Sequence, residues 1–192
     1  RLTLVSTDGF RLSEKQIDVV SVASDLEDFS VVIPAKTLVE VARVFSSANE
    51  HIKITLNNDE NLVLFQCEGI LIVTRILDGE YPDYRKVVPA TSSIKAEFAA
   101  SDFFEAVKLT NVFAKEVNSI MKITLDPEGL IKVTSSSKEM GENHSEVEAV
   151  VDGSLTEVTF SSKYLLDFLN NVKAERFVFE TNGGITPGVI RP

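Results

Sequence analysis

Three amphipathic stretches recur along the chain, each set between an extended segment and a hairpin. This repeat limits the possible folds more than any other feature. A 3.6-residue apolar period predicts helices over about 34–46, 101–115 and 162–172. In the first, Leu38, Val41, Ala42 and Phe45 share a face, and Pro34 stands where a first-turn proline is tolerated. In the second the face reads Phe104, Val107, Leu109, Val112 and Phe113. Ser101 is the expected N-cap there, and Asp102 and Glu105 suit the positive end of the helix. The third carries Leu165, Leu166, Phe168 and Leu169. Extended stretches at 29–33, 94–98 and 157–160 precede the helices, and hairpins over 51–66, 120–134 and 176–190 follow them. Helix starts therefore recur every ~60–70 residues, a longer period than common solenoids use, and each repeat is β-rich. The expected class is α+β, built of repeated half-domains that each lay one helix on a curved antiparallel sheet.

Turn chemistry fixes the register of the hairpins. Asp8-Gly9 supplies a pair suited to positive φ after the alternating residues 1–6, and Phe10-Arg11-Leu12 is expected to resume extended chain. Residues 57–61, Asp126-Pro127-Glu128-Gly129 and Asn182-Gly183-Gly184 close further hairpins. Two prolines and a polar cluster, Asp78-Gly79-Glu80-Tyr81-Pro82-Asp83-Tyr84 and then Val88-Pro89-Ala90-Thr91-Ser92-Ser93, read as a linker. The domain boundary is placed at residue 93, which divides the chain into 1–93 and 94–192.

Composition excludes several classes. The 192 residues suffice for one or two domains that need no disulfide or metal to hold a core. Cys67 is the only cysteine, so no disulfide forms within the chain; a small buried hydrophobe in a reducing cytoplasmic compartment is expected. Apolar runs stop at about four residues, as at 70–73, which is far short of a bilayer span. Arg1-Leu2-Thr3-Leu4 is strand-like and has no leader-type apolar core. A start without Met and a last residue, Pro192, in strand-like sequence suggest a piece of a longer protein.

The inventory does not favour catalysis. His51 sits at a strand edge and His144 in an acidic stretch, and no G-x-S-x-G, P-loop or H-E-x-x-H motif occurs. The acidic residues Glu139, Glu142, Glu146 and Glu148 lack the spacing of a Ca²⁺ loop, so a solvated loop or edge strand is expected. No catalytic residue, metal or cofactor is expected. The net charge of -10 also argues against an ordinary nucleic-acid binder. The three helices nevertheless sum to about +1, so the acidity lies elsewhere on the chain.

Two motifs resemble one family. Thr7-Asp8-Gly9-Phe10-Arg11-Leu12 is similar to the Thr-Asp-Gly-His-Arg-Leu hairpin of bacterial sliding clamps, the β subunits of DNA polymerase III. Asp78-Gly79-Glu80-Tyr81-Pro82-Asp83-Tyr84-Arg85-Lys86-Val87-Val88-Pro89 resembles that family's linker between its middle and last domains. The helix-plus-hairpin repeat is also the family's half-domain plan. On this resemblance, the chain is the second half of the middle domain and most of the last domain, without the final strand and tail. The implied fold is the DNA clamp, and the implied function is a non-catalytic replication processivity factor.

The resemblance further implies a homodimeric ring that encircles duplex DNA without reading its sequence. Its partners would be the polymerase III alpha subunit, the clamp loader and other proteins carrying a clamp-binding motif. Their short apolar peptides would dock between the middle and last domains. The implied pocket residues are Thr7, Gly9, Phe10, Arg11 and Leu12 from the hairpin, Pro82, Lys86 and Val87 from the linker, and Tyr164 and Thr186. Read alone, Asp8-Gly9 is a turn, Pro82 and Tyr84 suit a domain junction, and Tyr164 suits a half-buried helix position. Phe10 stands for the family's His and Lys86 for a common Arg, which removes a polar edge and a planar bidentate donor. Lys36, Arg43, Lys108, Lys115 and Lys163 would face the DNA, or are simply solvated helix charges. Val112 and Phe113 would meet the neighbouring subunit, or belong to the core. The competing reading from another class is a β-rich structural or adhesive module with no role at DNA.

Overall fold

The structure, a computed structural model, describes residues 1–22, 30–57, 59–115, 118–137 and 141–192. The chain forms two compact units, Arg1–Pro82 and Asp83–Pro192, which divide inside the linker segment.

The first unit opens with strands β1 (Leu2–Thr7) and β2 (Leu12–Ile17), an antiparallel hairpin with Thr7 opposite Leu12. Phe10 and Arg11 belong to the turn rather than to β2, which differs from the extended chain expected there. The reason is local: Asp8 draws both of their amides onto its own carboxylate. Helix α1 (Ala35–Val44) follows, with Pro34 just outside it as the N-cap residue. Strands β3 (Lys53–Asn57), β4 (Leu62–Cys67) and β5 (Ile70–Arg75) form an antiparallel sheet in that order. Alternation along β4 sends Val63, Phe65 and Cys67 to one face, where Val41 and Phe45 of the α1 segment cover them. Each such large apolar side chain contributes about 1.5–3 kcal/mol on full burial. Ala42 lies on the exposed side of α1, unlike the expected face. Past β5, Leu77 forms a bridge with Val32, so the chain leaving the sheet pairs with the chain entering the helix. Phe29, the first residue of the extended stretch expected there, lies outside the described residues.

The second unit begins with a 3₁₀ turn, Tyr84–Lys86. It then repeats the helix-on-sheet plan twice. The first copy is β6 (Ile94–Ala99), α2 (Ala100–Ala114), β7 (Ile120–Asp126), β8 (Leu130–Ser137) and β9 (Gly141–Asp152). The second is β10 (Thr156–Ser161), α3 (Ser162–Asn171), β11 (Arg176–Thr181) and β12 (Val189–Arg191). All nine strand and helix elements feed one core under a seven-stranded sheet of order β10-β7-β8-β9-β6-β11-β12. Phe98, Met121, Ile123, Leu125, Ile131, Val133 and Phe177 are buried at its centre. Strand β9 joins the two parts of the sheet: its first eight residues pair with β8 and its last four with β6.

Two features of α2 depart from the sequence reading. The buried stripe of α2 is Phe103, Ala106, Val107, Thr110 and Ala114; Phe104 and Phe113 are half-buried, and Leu109 and Val112 face outward. Its N-terminus is not capped by Ser101, which lies within the helix and donates to Asp102 Oδ1 at 2.8 Å. The Ala100 amide instead donates to the Glu175 carbonyl at 2.9 Å, so tertiary structure satisfies the helix end. The acidic stretch takes the edge-strand form of the two expected: residues 141–148 pair with β8 on one side, β6 pairs with 149–152, and Glu142, Glu146 and Glu148 lie on the exposed face. Lys138 and Glu139 lie outside the described residues.

Candidate functional site

Each unit carries part of the residue set singled out from sequence. On the first unit, the β1–β2 turn is closed almost entirely by side chain–backbone bonds. Phe10 and Arg11 amides each donate to Asp8 Oδ1 at 3.0 Å. Thr7 Oγ1 donates to the Arg11 carbonyl at 2.8 Å and accepts the Gly9 amide at 3.1 Å. Arg11 Nε donates to Asp8 Oδ2 at 3.1 Å. Gly9 takes φ +87, which only glycine adopts without strain. The two backbone donors lower the Asp8 pKa from its ordinary value, and the guanidinium adds to the effect. The turn thus holds Phe10, 83% exposed, and the half-buried Leu12 in fixed places. Pro82 closes this unit and is exposed.

On the second unit, the 3₁₀ turn is held by the Val87 amide donating to the Tyr84 carbonyl at 2.9 Å and by an ion pair from Lys86 Nζ to Asp83 Oδ2 at 3.1 Å. Val87 is left 62% exposed, an apolar side chain in water beside a cation. Thr186 sits in the loop between β11 and β12, where its Oγ1 donates to the Gly183 carbonyl at 2.7 Å. Tyr164 is half-buried in the first turn of α3.

One residue of this region was legible from sequence only as part of a turn. Asn182 Oδ1 accepts the Ser93 amide at 2.8 Å, and its Nδ2 donates to the Thr91 carbonyl at 2.9 Å. Its side chain therefore continues the β11–β6 ladder by two residues, from Thr181 opposite Ile94 into the linker.

The basic helix residues are all exposed. Arg43 pairs with Glu40 through an Nη2–Oε2 contact of 2.5 Å, and Lys108 pairs with Glu105 at 3.5 Å while lying over the Phe104 ring. Lys36, Lys115 and Lys163 project into solvent from α1, the end of α2 and the start of α3. Val112 is 51% exposed, so it is not a core residue.

His144 Nε2 lies 3.3 Å from Glu142 Oε2 on the exposed face of β9. Among the described residues, no three His, Cys, Asp or Glu side chains converge as metal ligands. A groove of about 280 Å³ between the start of α2 and the end of α3 is lined mainly by Phe104, Leu169, Val172 and Phe177, and no acid lines it. No described helix is long and apolar enough to cross a membrane.

Comparisons with known proteins agree across the chain. The domain family described as DNA polymerase III beta subunit, central domain, matches residues 1–83, and that described as the C-terminal domain matches 85–192. A beta sliding clamp of Staphylococcus epidermidis is 30% identical over 193 aligned residues, covering 100% of this chain and 50% of the relative. One from Staphylococcus aureus is 28% identical with the same coverage. The chain thus spans about half the length of the curated relatives it matches. Among solved structures, the DNA polymerase sliding clamp of Bacillus subtilis aligns with a TM-score of 0.87 at 28% identity, over 98% of this chain and 49% of that one. The DNA polymerase III beta subunit of Thermotoga maritima aligns at 0.86 and 27%, over 99% and 50%. None of these supports a structural or adhesive module without a role at DNA.

Proposed function

The chain belongs to the DNA polymerase III beta subunit family, and from that premise we propose that it acts as part of a replication sliding clamp. The single observation that carries the reading is the family match over both units, residues 1–83 and 85–192. In this reading the chain contributes to a cytoplasmic homodimeric ring around duplex DNA. Its work is tethering, not catalysis, so no cofactor is required.

The charge distribution supports such a role. Lys36, Arg43, Lys108, Lys115 and Lys163 stand on helices in an otherwise acidic chain of net charge -10. A ring holds DNA by topology, so a few screened cations suffice, and strong phosphate pairing would slow sliding. Acidic surfaces elsewhere discourage unproductive DNA contacts. Val112, exposed on α2, and the half-buried Phe113 are the proposed contact with a neighbouring subunit.

Partner peptides from the polymerase alpha subunit, the clamp loader and other clamp-binding proteins are proposed to dock on Thr7, Gly9, Phe10, Arg11, Leu12 and Pro82 of the first unit. On the second unit the proposed residues are Lys86, Val87, Tyr164 and Thr186. Leu12, Val87 and Phe10 offer apolar area for a Leu or Phe anchor. Gly9 admits a close backbone, and Arg11 and Lys86 are donors for peptide carbonyls or a carboxylate. The test is fluorescence anisotropy of a labelled Gln-Leu-Ser-Leu-Phe peptide titrated with this chain, beside Leu12→Asp and Val87→Asp variants. Saturable binding that both variants abolish is expected. Equal binding by all three proteins would overturn the residue assignment.

A further inference from the structure

Two segments of the proposed peptide site lie on the second unit and are far apart in sequence. One is the arm that carries Lys86 and Val87 and runs on to Ser93; the other is the β11–β12 loop that carries Thr186. Past the end of the β6–β11 ladder, one side chain carries the link onward. Asn182 receives the Ser93 amide at 2.8 Å and donates to the Thr91 carbonyl at 2.9 Å, closing separations of 89 and 91 residues.

The rest of the loop hangs from the same point. The Gly183 amide, next in sequence, donates to Thr181 Oγ1 at 3.0 Å. The Gly183 carbonyl then accepts both the Thr186 amide at 3.2 Å and Thr186 Oγ1 at 2.7 Å. The β9–β10 turn also comes close to Ser93: a Cβ on Gly153 would stand 2.7 Å from the Ser93 carbonyl oxygen. The arm's end thus lies close to two turns, and Asn182 supplies directional bonds to it. An amide suits this place because its acceptor and donor are separate atoms. It must accept from one backbone group and donate to another two residues away, which neither a carboxylate nor an alkyl group does at neutral pH.

We infer that Asn182 is a positioning residue for partner-peptide binding, holding the arm that presents Lys86 and Val87 in register with the loop that presents Thr186. This rests on the peptide-site reading above. It assigns Asn182 no contact with the peptide. Fixing the arm beforehand removes an ordering cost that the peptide would otherwise meet on binding.

The test uses this chain and the same labelled Gln-Leu-Ser-Leu-Phe peptide. Asn182→Ala, which loses both bonds, is expected to raise Kd about five- to tenfold. Asn182→Asp keeps the acceptor for Ser93 and loses the donor to Thr91, so its Kd is expected between the two. Ile131→Val, a small core truncation on β8, is the stability control: it lowers Tm and leaves Kd unchanged. Amide exchange at Ser93, protected in the parent chain, is expected to accelerate in Asn182→Ala. An Asn182→Ala Kd equal to the parent's, in a protein where Val87→Asp still abolishes binding, overturns the positioning role alone. Binding that survives Val87→Asp overturns the peptide-site reading and this inference with it. A Kd rise for Ile131→Val as large as that for Asn182→Ala reduces Asn182 to a general stabiliser and also refutes the inference.

Discussion

Gly153→Ala is a severe small substitution in the second unit, because two independent costs fall on one methyl group. The residue sits in the β9–β10 turn at φ +121, a region that L side chains enter only with strain. Such strain costs about 1–3 kcal/mol. The added Cβ would also stand 2.7 Å from the Ser93 carbonyl oxygen and 3.0 Å from both Cα and Cγ1 of Ile94. Neither neighbour yields easily: Ser93 is bonded to Asn182, and Ile94 is buried and begins a strand paired on both sides. Forcing a methyl into packed structure costs about 1–3 kcal/mol more. The total is about 2–6 kcal/mol, or a Tm lower by about 10–30 °C for a unit near 100 residues. Gly184→Ala is the matched comparison. Gly184 also has positive φ, +60, yet nothing lies within 4 Å of its Cβ position. It should lose only the left-handed cost of about 1–2 kcal/mol. Scanning calorimetry of both variants, read on the second unit's transition, separates the two costs. Equal Tm shifts would refute the claim that the linker end is packed against Gly153.

Two further outcomes follow from ionisation. The folded pKa of Asp8 lies below its unfolded value because the Arg11 and Phe10 amides donate to the ionised form. The turn's contribution is therefore fully present above the usual Asp pKa of about 3.9 and is lost as pH falls through the lower folded value. An NMR titration of the Asp8 carboxyl carbon should give a midpoint below about 3.9, and one at or above it would remove this account of the turn. Burial raises the Cys67 thiol, with Glu68 and Glu50 adding to the shift. Native protein at pH 8 should therefore resist a disulfide reagent that reacts promptly in urea; prompt native reaction would show the site open.

Helix existence, hairpin order and the repeat were legible because they rest on local patterns that tertiary packing reinforces. The failures have physical causes. In α2 the large residues mislead: Leu109 and Val112 are outward, while the buried stripe includes the small or polar Ala106, Thr110 and Ala114. Thr110 is admitted to the core because its hydroxyl donates to Asn143 Oδ1 at 2.8 Å on β9. The same bond explains why β9 reads as a solvated loop or edge strand. Its inner face opposite Thr110 is Asn143 and Ser145, so polar residues occupy both sides of the strand there. Phe10 and Arg11 read as strand because the carboxylate that captures their amides leaves no trace in hydropathy. Candidate binding residues came from motif likeness rather than from physics, and Asn182 escaped both routes. Its partners lie about 90 residues away, and an Asn before Gly reads first as a turn.

The double pairing of β9 also sets an order of events in time. Its partnership with β8 closes a short loop, whereas its partnership with β6 joins residues roughly 50 positions apart, and β6 with β11 joins residues still further apart. Loop-closure entropy must be met before such distant contacts return anything. The β7–β8–β9 meander should therefore form first and serve as the template on which β6 and then β11 dock. Refolding with pulsed amide labelling should protect Ile131 and Val133 before Phe98 and Phe177; simultaneous protection would mean that the sheet assembles in one step. A strand shared by two neighbours is thus also a delay in assembly, and the edge of β9 that awaits β6 stays open to other chains until that delay ends.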